Sequence, residues 1–141
     1  MKRSKEELIQ YITQLEAVID SLPFDVWMKG SDGGYVVANR HMSEELGISK
    51  EDLIGKRDFD LYEKPDADYI EASDKEIMEG ISRGIVISHS LRGAFEEHKI
   101  PVFDQSGLLM GTTGYAKNVT QQEKIREELA QSEERFRTIF E

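Results

Sequence analysis

The sequence predicts an α+β domain: a five-stranded antiparallel sheet, short helices packed on one of its faces, and an amphipathic helix flanking it at each end. Three observations carry this. Residues 25–38 read as strand, glycine-rich turn, strand. Residues 39–80 carry a run of helix-start residues and glycine stops. From Gly84 onward the apolar period changes to two, interrupted only by tight turns.

In chain order, Ser4-Lys5-Glu6-Glu7 is a capping box that starts the first helix. Leu8, Ile12, Leu15, Ile19 and Leu22 follow at steps of 4, 3, 4 and 3, a heptad seam that Pro23 ends. The seam is too short for a stable isolated coiled coil, so it must pack on its own domain, on a second copy, or on both. Asp25–Lys29 and Tyr35–Ala38 then form a hairpin around Gly30-Ser31-Asp32-Gly33-Gly34. Those glycines match no phosphate-loop spacing and no strand-to-helix context.

Asn39 caps a helix through Leu46, stopped by Gly47, and Ser49-Lys50-Glu51-Asp52 is a second capping box closed by Gly55. Pro65 suits the first turn of a helix over Asp66–Glu79, ended by Gly80, with Tyr69, Ile70, Ile77 and Met78 as its inward stripe. Nine acids lie between Asp58 and Glu79 against only Lys64 and Lys75, and the expectation for that run is a solvated face. Ile85–Leu91, Phe95–Phe103 and Leu108–Val119 are the last three strands. On the middle one, Phe95, Glu97, Lys99 and Phe103 share one face, and Ala94, Glu96, His98 and Ile100 the other. An inward Lys99 or His98 needs a partner: Glu96, Glu97 or Asp25, or an anionic ligand.

The formal net charge is −10. A field of that sign repels phosphates and anionic lipid, so the expectation is no nucleic acid partner and no direct membrane contact. There is no cysteine, which removes disulfides, thiolate metal sites and a cysteine nucleophile. Residues 4–20 are studded with charges, so the N-terminus reads as neither signal peptide nor membrane span, and the segment as cytoplasmic. Asp58, Asp60, Glu63, Asp66 and Asp68 lack the spacing of a calcium loop, and no metal is expected. No nucleophile sits in a motif with a base and an orienting partner, which argues against an enzyme.

This order of elements, with "LPFDVWMKGSDGGYVVAN", "ELGISKEDLIGK", "DFDLYEKPDADYIEASDKEIMEG", "EEHKIPVFDQSG" and "LLMGTTGYAKNVT" in register, resembles a PAS domain over about residues 20–120. The resemblance divides the chain into an N-terminal helix (1–22), the PAS domain (23–120) and an exit helix (121–141). "SEERFRTIFE" at 132–141 resembles the opening of a further PAS domain. Where many relatives close with Asp-Ile-Thr, this chain has Asn118-Val119-Thr120, which keeps a hydrogen bond and loses a charge.

The resemblance implies a sensory module that biases a C-terminal output domain of histidine kinase or diguanylate cyclase/phosphodiesterase type. The alternative is a ligand-free dimerisation spacer with a filled core. It places Leu108, Met110, Thr112, Gly114 and Ala116 toward the helices, where Gly114 and Ala116 either leave a cavity or let a bulky neighbour such as Trp27 close in. The candidate pocket is Trp27, Lys29, Met78, Ile87, Lys99, Thr112, Gly114 and Ala116. The implied cofactor is none or an unknown small molecule. Cysteine-linked flavin is excluded, and the helix around Tyr69-Ile70-Glu71-Ala72 lacks the proximal histidine of haem relatives.

Between the last strand and the exit helix there is no loop. Thr120-Gln121-Gln122-Glu123 reads as a capping box, so the helix starts where the strand ends. Such a junction transmits a shift that a flexible linker would absorb. The expected dimerisation and signalling residues are Leu8, Ile12, Leu15, Ile19, Asn118, Thr120, Ile125 and Leu129, giving a homodimer in which the first helix packs on the outer sheet face around Thr113 and Tyr115.

Overall fold

The computed structural model describes residues 2–140. Helix α1 (Lys5–Asp20) leads into β1 (Asp25–Gly30) and β2 (Tyr35–Ala38). Four helices follow: α2 (Arg40–Leu46), α3 (Lys50–Leu53), α4 (Asp58–Leu61) and α5 (Lys64–Met78). The chain then returns to the sheet as β3 (Val86–Ser90), β4 (Gly93–Phe103) and β5 (Leu109–Asn118), and leaves it as α6 (Thr120–Phe140). Strand order is β2-β1-β5-β4-β3, antiparallel throughout. The last strand is therefore the central one, paired from Asp25↔Ala116 to Gly30↔Gly111 on one side and from Phe95↔Asn118 to Phe103↔Leu109 on the other.

The local signals act where the sequence has them. Ser4 and Glu7 complete their capping box on α1, and Gly47 takes the left-handed conformation that ends α2. Asn39 does more than cap. Fully buried, its carbonyl oxygen accepts from the amides of Val26 (3.1 Å) and Met42 (3.2 Å), while its amide nitrogen donates to the carbonyls of Ile19 (2.8 Å) and Phe24 (2.9 Å). One side chain thus ties the end of α1, the entry to β1 and the start of α2, using its full donor and acceptor capacity. Trp27, Tyr35, Ala38, Met42 and Leu53 form the apolar core between the β1–β2 hairpin and α2–α3. Burying a side chain such as Leu53 stabilises the fold by roughly 1.5–3 kcal/mol.

Two expectations about packing need correction. The acidic run is a solvated face only in part: Asp60, Glu63, Asp68, Glu71 and Glu79 are exposed, but Asp58, Asp66 and Asp74 are buried. Of the expected stripe of α5 only Ile77 is buried, with Ile70 and Met78 half-buried and Tyr69 exposed. The other buried residues of the helix are Asp66, Ala67, Ser73 and Asp74, because the sheet opposite presents lysines that need carboxylates. Within a single chain, α1 does not pack on Thr113 and Tyr115. Phe24 covers the Tyr115 ring (centroids 5.4 Å apart), and the Thr113 hydroxyl donates to the Trp27 carbonyl at 2.8 Å. Helix α1 is held at its last turn, where Asp20 accepts from the Arg40 amide (2.7 Å) and from Lys50 (2.6 Å). Leu8, Ile12 and Leu15 are half exposed. Helix α4 had no apolar period to announce it. Its first turn is held by Asp60, which accepts from the Arg57 amide at 3.0 Å.

Candidate ligand pocket and exit junction

Between the sheet and α4–α5 lies a cavity of about 60 Å³, walled by the rings of Trp27, Tyr35, Tyr62, Tyr69 and Phe95. Asp25, Trp27 and Lys29 reach it from alternate positions of β1, and Phe95, Glu97 and Lys99 from alternate positions of β4. Ala116 of β5, Asp66 and Tyr69 of α5, Ser88 and Ser90 of β3, and Arg92 of the β3–β4 turn complete it.

Its basic side is closed. Lys29, 1% exposed, donates to Asp58 at 2.8 Å and pairs with Asp74. Lys99 lies 3.0 Å from Asp74 and donates to the Ser73 hydroxyl at 3.1 Å. The Oδ1 atom of Asp74 thus has an ammonium beside it for charge but no aligned hydrogen bond. The Tyr35 hydroxyl donates to Asp58 at 2.5 Å, and both ammonium groups stand over Trp27, 4.6 and 5.7 Å from the ring. Two ammoniums face two carboxylates, so the charges cancel inside the protein. The partner of Lys99 comes from α5, not from Glu96, Glu97 or Asp25 as expected, because α5 stands over the inward face of β4.

The remaining polar groups follow their surroundings. Burial pushes the Tyr62 phenol up to about 12, and burial with Tyr62 and Asp58 nearby pushes Tyr35 well above its ordinary value. Burial also raises the Asp25 carboxyl, although His41 hydrogen-bonds it at 2.8 Å. Glu97 accepts from the Tyr69 hydroxyl at 3.2 Å, and Asp66 from the Leu91 amide at 3.2 Å. The acids weighed for calcium do not gather. Asp25, His41 and Glu45 do, with ligand atoms within 4.8 Å of one another, but Glu45 is taken by Arg92 at 3.2 Å.

Of the expected pocket residues, Trp27, Lys29, Lys99 and Ala116 line the cavity and four do not. Met78 faces a surface groove with Arg57 and Phe59. Ile87 is 39% exposed, because the alternate positions Ser88 and Ser90 point inward. Thr112 is buried opposite Lys29 in the register but does not reach the cavity, and Leu108 and Met110 are exposed. Gly114 is small for a different reason: a Cβ there would strike the His98 carbonyl of β4, so it admits a backbone and leaves no cavity. Tyr62, Asp66, Tyr69, Glu97 and Arg92 were missed. Asp66, Tyr69, Ile70, Ser73, Asp74 and Ile77 do recur at helical spacing, a signal that reading only apolar residues passes over.

The exit junction is stitched to the rim of this cavity. The Val119 amide donates to the Ala94 carbonyl at 2.9 Å, and the Ala94 amide donates to the Thr120 hydroxyl at 3.0 Å. Asn118 accepts from both the Thr120 amide (3.0 Å) and the Thr120 hydroxyl (2.7 Å). The expected Thr120–Glu123 capping box is therefore replaced. Glu123 makes an ordinary helical bond to the Val119 carbonyl, and Asn118 is the cap, which frees Thr120 to hold β4. Gly93 is required beside it, since its φ is +128° and a Cβ would strike the Thr120 hydroxyl.

A sheet that closes a small polar cavity against helices, with its central strand running directly into an exit helix, defines a module of the signal-sensing class. The sequence model described as "PAS fold" matches residues 19–124, and the chain belongs to that family, whose members are sensory and not catalytic. No curated protein matches it. Among solved structures it is similar to the PAS domain of BvgS from Bordetella pertussis (17% identity, 89% of this chain, 98% of that one, TM-score 0.64). It is also similar to a PAS domain from Colwellia psychrerythraea (18%, 79% and 98%, TM-score 0.60).

A third similar structure is the complex of Vibrio cholerae VqmA with ligand and DNA (22%, 77% and 50%, TM-score 0.62), of which this chain spans half the length. That finding overturns the expectation of no nucleic acid partner. Net charge does not bound what a longer protein containing such a fold binds. Among the described residues no helix is long and apolar enough to cross a membrane.

Proposed function

We propose that this chain is the input and relay unit of a multidomain signalling protein. A small molecule in the cavity changes how α6 is seated, and α6 passes the change to an output domain. One observation carries this reading: Arg92 lines the cavity, and Ala94, two residues further on, hydrogen-bonds Val119 and Thr120 at the start of α6. A ligand that displaces Arg92 pulls on the same backbone. The bias needs only a difference in ligand affinity between two seatings of the helix.

The output is a kinase or cyclic-dinucleotide enzyme by family resemblance, or a DNA-binding domain by likeness to VqmA. The uncovered seam of α1 and the exposed Ile125 and Leu129 of α6 favour a homodimer through the flanking helices. Inserting four glycines after Thr120 in the parent protein is expected to uncouple output from input. Regulation that survives the insertion counts against the relay.

The small size of the cavity favours a second reading, a ligand-free dimerisation spacer. Native mass spectrometry of protein from its own host separates the two: a bound small molecule supports the sensor, and an empty cavity supports the spacer.

A further inference from the structure

The charges facing the cavity do not divide evenly. Lys29 and Lys99 are matched by Asp58 and Asp74, and Arg92 at the mouth is matched by Glu45. Three carboxylates remain: Asp25, Asp66 and Glu97, only 4, 7 and 8% exposed. Among the described residues, none of the three lies within 4.0 Å of a lysine or arginine nitrogen. Asp25 has His41, Asp66 has one amide, and Glu97 has one phenol, so each keeps acceptor capacity unused.

The rings point the same way. Lys29 and Lys99 sit over Trp27, and the Arg92 guanidinium sits over Tyr62 (4.9 Å) and Phe95 (5.0 Å). Ring faces in this cavity already attract cations, as the quadrupole of an aromatic ring does. An anion would have to displace Asp74 from the lysines and then face three carboxylates. A neutral guest would leave those carboxylates without a counter-charge.

We propose that the cavity is a site for a small organic cation, a protonated or quaternary amine of about four or five non-hydrogen atoms, held by Asp66 and Glu97 and by the ring faces of Tyr62, Tyr69 and Phe95. The size follows from a volume of about 60 Å³. This rests on the sensor reading and names its ligand class. It also supplies a displacement step, because the cation competes with Arg92 for Tyr62 and Phe95, and Arg92 lies two residues before Ala94, which holds α6.

The test compares three guests of similar size at constant ionic strength: tetramethylammonium chloride, tert-butanol and sodium acetate. Each is titrated into the whole isotope-labelled chain and followed by NMR. The expected result is saturable shifts at the Trp27 indole N–H and the Ser88, Ser90 and Ala116 amides for tetramethylammonium. Its dissociation constant should be at least tenfold below that of the other two, and Glu97→Gln or Asp66→Asn should weaken it a further tenfold.

Equal or tighter binding of tert-butanol or acetate overturns the proposal, as do cation shifts confined to surface carboxylates or no saturation at all. The comparison of guests uses the unaltered protein, so it stands even if a variant fails to fold. Tight binding of tert-butanol in the cavity sinks the cation assignment and leaves the sensor standing. Regulation that survives the glycine insertion sinks the relay whatever the cavity binds.

Discussion

Both sides of the cavity carry buried carboxylates, and they behave oppositely. On one side, Lys29 and Lys99 from the sheet meet Asp58 and Asp74 from the helices, and every charge has a counter-charge. On the other, Asp25, Asp66 and Glu97 are held by neutral donors and a histidine. A closed ion network resists change, because removing one member strands the others in a low-dielectric interior. An unbalanced side has room for a guest. A sensor needs both, a part that fixes the fold and a part left incomplete.

Lys29→Met should give the largest effect. It leaves Asp58 without an ammonium and Asp74 with only Lys99, and urea denaturation should show a loss of about 3–5 kcal/mol. A loss below 1 kcal/mol would mean that the network is not closed as described. Lys99→Met should cost less, about 2 kcal/mol, because Asp74 keeps Lys29.

At the seam where the cavity rim meets the exit helix, Thr120→Val removes the acceptor of the Ala94 amide. The expected cost is about 1 kcal/mol, with faster hydrogen exchange at Ala94 as its local signature. Unchanged exchange there would detach the rim from α6.

Asp25→Asn should do least to stability, under about 1 kcal/mol, since an amide can still bond His41. Its direction is the informative part. Burial raises the Asp25 carboxyl above its ordinary 3.8. Ionised Asp25 therefore costs the folded state stability above the raised value, and the cost fades as pH falls through that value toward 3.8, where the unfolded chain also protonates. The variant should melt higher than the parent at pH 7 and equal to it near pH 4. A variant less stable at pH 7 would place Asp25 with the balanced side.

Much of the fold was legible because its signals are local. Ser4, Asn39 and Ser49 cap the helices they precede, Gly47 and Gly80 stop theirs, and the β1–β2 hairpin lies where its turn residues put it. The alternation of β1 placed Asp25, Trp27 and Lys29 on one face. The candidate site was half legible for the same reason. Strand residues such as Trp27 and Lys99 were found by counting in twos, whereas Asp66 and Asp74 were read as solvated because acids on a helix usually are. Gly114 was misread because a glycine that admits a neighbouring backbone and one that leaves a void look alike in a single strand.

What the sequence by itself determined is the succession of elements, their caps and the loopless passage from β5 to α6, since each depends on residues within a few positions of one another. What only the tertiary structure decided is which charges cancel. Lys29 meets Asp58 across 29 positions, and Thr120 meets Ala94 across 26. Pairings at that separation are set by how α4 packs over β1 and by which strand lies beside which, and no periodicity along the chain encodes them.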